Sequence, residues 1–209
     1  MKNMRFLVYL GLISACILAC SRPAQNPVKT AYNVSDILAF RKEKDRAFRE
    51  SSTSPLLPKD RRNFRGLNYF PVDSTFRFSG PIHKYHPMPR DTIVGTGGEL
   101  RPALKYGYFK FRYGGREYRL QIYKILDNQP GYEKELFLGF TDTTSGKTTY
   151  GGGRYINLEE NPQNFYEVDF NLAYNPYCAY NPKYSCAVPP AENHLPFAVT
   201  AGEKSFKSH

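Results

Sequence analysis

Residues 106–125 read YGYFKFRYGGREYRLQIYKI, and this stretch decides the fold class. Apolar and polar residues alternate on both sides of Gly114-Gly115, and two glycines can take the positive φ angles of a tight hairpin turn. Pairing Tyr113 with Arg116 makes an antiparallel hairpin with one apolar and one polar face. The predicted apolar face holds Phe109, Phe111, Tyr113, Tyr118, Leu120 and Ile122. The predicted polar face holds Lys110, Arg112, Glu117, Arg119 and Gln121.

Further short strands are predicted on the C-terminal side of this hairpin, separated by turn residues. Their sequences are ELFLGFTD (135–142), TTYGGGRYINLE (148–159), FYEVDFNL (165–172) and LPFAVTAG (195–202). Upstream, a helix is predicted from about 36 to 51, with Ser35 as N-cap and one face formed by Ile37, Phe40, Ala47 and Phe48. The pattern indicates a single mainly-β domain over 34–209, an antiparallel barrel or sandwich with one N-terminal α-helix.

The first residues, MKNMRFLVYLGLISACILAC, have the organisation of a secretory signal. Two basic residues precede an apolar run over 6–18 that is too short to span a bilayer comfortably. The run ends in Ile17-Leu18-Ala19-Cys20, which resembles a bacterial lipobox, although Leu18 is larger than usual at its position. We therefore predict a lipoprotein signal peptide over 1–19 and acylation of Cys20, for example by palmitate. The alternative is an ordinary cleaved signal peptide.

A lipidated Cys20 implies an envelope protein that is anchored to a membrane and does not span it. Ser21, in place of an aspartate, resembles the outer-membrane sorting pattern, so we expect the domain to face the periplasm. Residues 20–33 are polar and contain two prolines, which is typical of a tether. The net charge of +10 comes with no nucleic-acid-binding motif. It favours anionic lipid headgroups, and no nucleic acid, as partner.

Only two cysteines, Cys178 and Cys186, remain after signal removal and lipidation. An even pair in an oxidising compartment predicts a disulfide bond. The alternative is a two-thiolate metal site, but the spacing lacks the C-x2-C pattern of zinc sites. His83 and His86 have no third ligand nearby in sequence. We predict no metal site and no cofactor.

The stretch TSGKTTYGGGRY (144–155) contains Gly-Lys-Thr but is not a phosphate-binding loop. Thr141 stands where the first glycine of that motif belongs, and a strand pattern follows in place of a helix. The glycine triplet marks either a sharp bend or a wall against which a ligand packs. On the second interpretation the segment binds a small anionic ligand. Its residues are then Tyr150, Gly151, Gly152, Gly153, Arg154 and Tyr155.

Polar residues near the C-terminus form a second candidate group. Asp169 and Asn171 alternate on one face of a predicted strand, and with Asn175 they are predicted either to bind a ligand or to hold the backbone of the following loop. Glu192 and His194 follow a Pro-Pro corner and are a candidate acid–base pair for hydrolysis, with Asp169 as the other candidate carboxylate. No nucleophile can be placed beside them.

Several of these motifs together resemble a known family. They are DTTSGKTTYGGGRY (142–155), DFNLAYNPYCAY (169–180), Cys186, PPAEN (189–193) and AGEK (201–204), preceded by FRGLNYFPVD (64–73). In this order they are similar to domain-of-unknown-function family 1684, over roughly residues 35–205. The resemblance implies a shared fold and a shared polar cluster but no activity. It also leaves the cysteines open between a disulfide, free thiols and metal ligands.

Three functions follow from these observations. The first is a lipoprotein that binds a small ligand or a cell-envelope fragment. The second is a hydrolase that uses Asp169 or Glu192 with His194. The third is a structural or assembly protein whose polar cluster only holds loops in place.

Overall fold

The computed structural model describes residues 33–126 and 133–207, and every structural statement below refers to these. The predicted signal peptide, Cys20 and nearly all of the predicted tether lie outside the described residues. Within them, no helix is both long and apolar enough to cross a membrane.

Helix α1 spans Val34–Glu50, and a short helix α2 spans Pro58–Arg62. The N-cap of α1 is Asn33, not Ser35, because the Asn33 side chain accepts the hydrogen bond of the Ser35 backbone N–H. The helix buries Ile37, Arg41 and Phe48, so the predicted face was wrong at Phe40 and Ala47, which are exposed. Arg41 turns inward because its guanidinium finds backbone carbonyl partners there.

The strands form two sheets in the described ranges. They are β1 Arg77–Gly80, β2 Ile82–Lys84, β3 Arg90–Val94, β4 Leu100–Tyr113, β5 Arg116–Ile125, β6 Glu135–Asp142, β7 Arg154–Glu159, β8 Tyr166–Asp169 and β9 His194–Leu195. The larger sheet runs β2-β4-β5-β6-β7, with β3 beside the first half of β4 and β9 parallel to β6. β1 and β8 form a separate antiparallel ribbon. The sheet order is open at both ends, so the sandwich alternative fits and the barrel does not.

The hairpin β4–β5 confirms the predicted register, with Tyr113 opposite Arg116 and Phe109 opposite Leu120. A bulge between Lys105 and Gly107 shifts the register of β4. A Cβ atom at Gly107 would lie 2.6 Å from the carbonyl oxygen of His83, so only glycine fits. The predicted polar face was wrong at Gln121, which is buried because Asn193 covers it and bonds its backbone N–H and C=O.

The main core lies between the large sheet and the β1–β8 ribbon. Phe78 of β1 packs on Phe111 of β4, with ring centroids 4.6 Å apart, and Phe140 of β6 packs edge-on to Phe170 at 5.0 Å. Phe109, Leu120 and Val168 are fully buried between the layers. Such burial stabilises the fold by roughly 1.5–3 kcal/mol for each large side chain. The mainly-β, two-layer class is confirmed.

Three predicted strands differ from those observed. Residues 148–153 form turns and one isolated bridge between Thr149 and Ser145, so the strand of the glycine segment begins only at Arg154. The strand predicted over 165–172 ends at Asp169, whose side chain caps a 3-10 turn over Phe170–Leu172. Of the strand predicted over 195–202, only Leu195 pairs, as part of β9. In each segment backbone N–H groups donate to polar side chains or to nearby carbonyls in place of a strand partner, as Val199 does to Asp142 and Gly153 does to Tyr150.

Candidate functional site

A cleft with a volume of about 560 Å³ lies on the face of the large sheet that is turned away from the main core. We call it the Tyr155 cleft. On β7, Ile156 and Leu158 join the main core, whereas Tyr155 and Asn157 point to the opposite face by the two-residue repeat of a strand. Its walls are Phe40, Lys44, Ala47, Phe48, Arg101, Ile125, Glu135, Leu136, Phe137, Leu138, Tyr155, Ile156, Asn157, Tyr174, Pro176, Tyr177, Tyr184, Ser185, Cys186 and Ala187.

Tyr155 is held rigidly in this cleft. Its hydroxyl donates to the carbonyl of Ala187, and its ring packs edge-on against Phe137 at 5.0 Å and against Tyr174 at 5.8 Å. Burial raises the pKa of Tyr155 far above its usual range, and burial likewise raises the pKa of Tyr174. Both phenols are therefore neutral at any physiological pH. Their hydroxyls already donate to Ala187 and Asn157, so the two residues offer a ligand their rings and do not act as bases.

The mouth of the cleft presents aromatic side chains to solvent. Phe40 of α1 is 50% exposed and Tyr177 is 48% exposed. The Tyr177 ring packs beside Tyr184 at 5.3 Å. Exposed aromatic residues that line a concave surface are typical of binding sites, because a ligand can bury them.

Lys44 brings a positive charge to the wall of the cleft. Its ammonium lies 4.7 Å from the centre of the Tyr174 ring and forms an ion pair of 2.5 Å with Glu203, which is 1% exposed. Glu203 also accepts hydrogen bonds from the Asn175 backbone and from the Tyr180 hydroxyl. The Glu203 carboxylate is thus fully used inside the fold, and it holds Lys44 beside the cleft.

Arg101 brings a second positive charge from β4. Its guanidinium donates to Glu99 at 2.7 Å and to the carbonyl of Ser185 at 2.9 Å, and the Ser185 hydroxyl also donates to Glu99. The bonds from Ser185 and Arg101 lower the pKa of Glu99 to about 2. This small network fixes the loop that carries Ser185 and Cys186 along the cleft.

Arg154 does not face the cleft. It is 1% exposed and forms a 2.8 Å ion pair with Asp142, which is also buried. Its guanidinium also donates to the backbone carbonyls of Ala201, Glu203 and Val199. Burial lowers the pKa of Arg154, an effect that the charge of Asp142 opposes. The side chain fastens the C-terminal segment to the sheet and offers a ligand no surface.

The glycine triplet lies at a bend and outside the cleft lining. Gly153 has a φ of +86°, and a Cβ atom there would lie 2.6 Å from the carbonyl oxygen of Phe140. Gly151 and Gly152 form the turn before it. Of the two interpretations of the triplet, the bend accounts for its geometry. From the predicted ligand segment, Tyr155 alone lines the cleft, and Tyr150 instead contacts Cys178.

Asp169, Asn171 and Asn175 are buried and bonded internally. One oxygen of Asp169 accepts from the backbone N–H and the side-chain amide of Asn171, and burial raises the pKa of Asp169. Asn171 also bonds both backbone groups of Asp73. Asn175 donates to the carbonyl of Lys204. These three residues join loops to one another, which agrees with the backbone-holding alternative.

The candidate acid–base residues are not brought together. Glu192 accepts from the Tyr123 hydroxyl at 2.7 Å and pairs with Lys105 at 3.1 Å. His194 is exposed, and its Nδ1 lies 3.0 Å from the Thr141 hydroxyl. In the described ranges, no hydrogen bond or ion pair joins Asp169 or Glu192 to His194, and none of the three lines the Tyr155 cleft.

Cys178 and Cys186 are free thiols, so the predicted disulfide is not formed in this structure. The two residues are nevertheless in contact, since the backbone N–H of Cys178 donates to the Cys186 sulfur at 3.3 Å. Among the described residues no group of three or more histidine, cysteine or acidic side chains is arranged to hold a metal ion.

Sequence reasoning missed most of the Tyr155 cleft. Phe40 was assigned to the apolar face of α1 and not to a binding site. No local sequence pattern marked Lys44 or Arg101 as cleft residues. The one available signal was the density of tyrosines between 174 and 184. It indicated an aromatic region but not that this region folds against α1 and β7.

The chain is similar to known proteins in sequence and in fold. A family model described as "Protein of unknown function (DUF1684)" matches residues 62–204, which is more than half of the chain. The chain belongs to this family. The predicted family resemblance is therefore confirmed.

A solved relative supports the DUF1684 assignment. The solution NMR structure of the uncharacterised protein from gene locus rrnAC0354 of Haloarcula marismortui is 33% identical. The match covers 84% of this chain and 95% of that chain, with a TM-score of 0.64. No curated protein matches the chain. The buried motif residues Asp142, Arg154, Asn171 and Glu203 all lie in the matched part of the DUF1684 domain.

Proposed function

We propose that this protein is an envelope lipoprotein that binds a small, ring-bearing fragment of the cell envelope in the Tyr155 cleft. The observation that carries the proposal is the cleft itself. Its volume of about 560 Å³ lies within the range of roughly 300–1,000 Å³ that small-ligand sites occupy. Its walls are mainly apolar and aromatic, with few polar groups, which is the usual composition of such sites.

The aromatic side chains favour a ligand with a flat or ring-shaped face. Phe40 and Tyr177 expose about half of their surface at the mouth, and Tyr155 and Tyr174 stand deeper on the walls. Aromatic rings pack best against other flat apolar faces, and the hydroxyls of Tyr155 and Tyr174 are already bonded to Ala187 and Asn157, so their rings are what a ligand meets. A fragment that carries rings matches these walls better than a flexible acyl chain does.

The charges of the cleft give at most a weak preference for an anionic ligand. Lys44 and Arg101 lie on the walls together with Glu135, and the two basic residues are each paired with a carboxylate, Glu203 and Glu99 respectively. The residual attraction for an anion is therefore modest. Arg154 was the anion contact expected from the sequence, but it is buried and paired with Asp142. An anion in this cleft would therefore contact Lys44 or Arg101 instead.

A tryptophan placed at the mouth tests ligand binding directly. The chain contains no tryptophan, so Phe40→Trp introduces a single fluorescent reporter on the cleft wall. Phe165→Trp is the matched control, because Phe165 is 45% exposed and lies outside the cleft lining. The probes are soluble muropeptides, with lauric acid as a ringless comparison.

We expect muropeptides to shift the emission of the Phe40→Trp variant in a saturable way and to leave the emission of the Phe165→Trp variant unchanged. Lauric acid should give a weaker response, because an acyl chain lacks ring faces. Equal responses of the two variants, or no response of Phe40→Trp, would contradict the proposed site.

The anchoring part of the proposal rests on the lipobox-like sequence that ends at Cys20. The test is metabolic labelling with an alkyne analogue of palmitate, followed by fractionation of the envelope. The wild-type chain and Cys16→Ala should carry the label and stay with the outer membrane. Cys20→Ala should lose both properties. A labelled Cys20→Ala chain would refute lipidation at this residue.

A further inference from the structure

Two thiols lie against each other beside the Tyr155 cleft. The backbone N–H of Cys178 donates to the sulfur of Cys186 at 3.3 Å. Both side chains are partly exposed, and Cys186 lines the cleft. Small molecules in solvent or in the cleft can therefore reach this pair.

The surroundings of the pair stabilise a thiolate on Cys178. The Tyr150 hydroxyl lies 3.6 Å from its sulfur. The hydrogen bond from Cys186 is the largest cause that lowers the pKa of Cys178 to about 6, and burial opposes it. The same bond raises the pKa of Cys186, whereas the positive charge of Arg101 lowers it.

The segments that carry the thiols are fixed without a disulfide bond. Thr96 N–H donates to the carbonyl of Cys186 at 2.8 Å, and Val188 N–H donates to the carbonyl of Val94 at 2.8 Å. The turn that carries Cys178 is held through the bond between Tyr180 and Glu203. These hydrogen bonds hold both segments in place while the two thiols are free.

We propose that Cys178 and Cys186 form a redox-active dithiol that reduces disulfide-bearing molecules at the wall of the Tyr155 cleft. The Cys178 thiolate attacks one sulfur of a substrate R–S–S–R, the substrate S–S bond breaks, and one RS⁻ leaves. Cys186 then loses its proton to solvent and attacks the Cys178 sulfur, which expels the second RS⁻. The protein gains one disulfide bond, and the substrate becomes two thiols.

This inference goes beyond the proposed binding function and does not depend on it. Dithiol exchange can be measured with glutathione alone, whereas the fluorescent reporter at position 40 measures ligand binding. Either result can therefore fail without the other.

The test uses the full chain in detergent micelles, equilibrated with mixtures of reduced and oxidised glutathione. Peptide mapping by mass spectrometry separates the Cys178–Cys186 pair from Cys16 and Cys20. We expect the wild-type chain to form the Cys178–Cys186 disulfide, and Cys186→Ser to accumulate glutathione on Cys178. Cys178→Ser should be modified at Cys186 more slowly than Cys186→Ser is at Cys178, because the Tyr150 hydroxyl contacts Cys178.

The pH dependence of alkylation tests the role of Cys186. In the reduced wild-type chain, iodoacetamide should modify Cys178 with a midpoint near pH 6. Cys186→Ala removes the donor and should move the midpoint toward the ordinary value of about 8.5. Cys186→Ser keeps a hydroxyl donor and should move it less.

Two outcomes would overturn the proposal. One is a pair of thiols that stays reduced in oxidised glutathione while Cys186→Ser traps no adduct. The other is a pair of thiols that reacts with neither oxidised glutathione nor iodoacetamide until a chelator is added, since that behaviour indicates a bound metal ion.

Discussion

Arg154→Ala should destabilise the fold strongly. The guanidinium pairs with Asp142, and both side chains are at most 1% exposed. Removal leaves a buried carboxylate and three backbone carbonyls without this donor. Breaking a buried pair from one side costs about 3–5 kcal/mol. A domain of this size loses about 2–4 °C of melting temperature per kcal/mol, so the expected loss is roughly 6–20 °C.

The assay is urea unfolding followed by far-UV circular dichroism, with Arg46→Ala as the matched control. Arg46 also pairs with a carboxylate, Glu43, but both side chains are more than 60% exposed. Such surface pairs contribute about 0–1 kcal/mol. A loss of unfolding free energy below about 1 kcal/mol for Arg154→Ala, with an unchanged slope of that free energy against urea concentration, would refute the structural role of Arg154. Arg154 would then again be a candidate ligand contact.

Three further predictions follow from the same structure. Gly98→Ala should cost about 1–2 kcal/mol from positive φ alone, because its Cβ would meet no atom within 4 Å. Gly153→Ala should cost roughly twice as much in the same unfolding assay, since its Cβ would also clash with a carbonyl; equal losses would contradict this geometry. The raised pKa of Asp169 means that its contribution to stability is full below the unfolded pKa and falls as pH rises through the folded pKa. The stability of Asp169→Asn relative to wild type should therefore improve from about pH 4 to about pH 7, and a constant difference would exclude this linkage. Ser185→Ala should raise the pKa of Glu99 from about 2 toward its ordinary value in an NMR titration, whereas an unmoved titration would show that Ser185 is not the main donor.

The hairpin could be predicted residue by residue because its information is local. A two-residue repeat and the Gly114-Gly115 turn are enough to fix the register, and the observed pairs agree with it. The burial of Gln121 could not be predicted from this local pattern. Its place on the polar face follows from the repeat, but its burial depends on Asn193, which lies 72 residues away in the chain.

The candidate site could be predicted only in part, for a similar reason. Tyr155 was identified beside the glycine triplet, but its cleft also needs Phe40 from α1 and Tyr184 from a distant loop. No local pattern states that these segments meet. Arg154 stood out equally well, but sequence alone cannot tell a charged side chain that binds a ligand from one that bonds buried carbonyls.

We propose that the Tyr155 cleft binds a ligand in the envelope. The most direct measurement is a native mass spectrum of the full chain extracted from its own envelope, compared with a denaturing spectrum of the same sample. We expect a small adduct that leaves on denaturation, that is lost in Phe40→Ala and that persists in Phe165→Ala. A wild-type chain without adduct, or an adduct that Phe40→Ala retains in full, would contradict it.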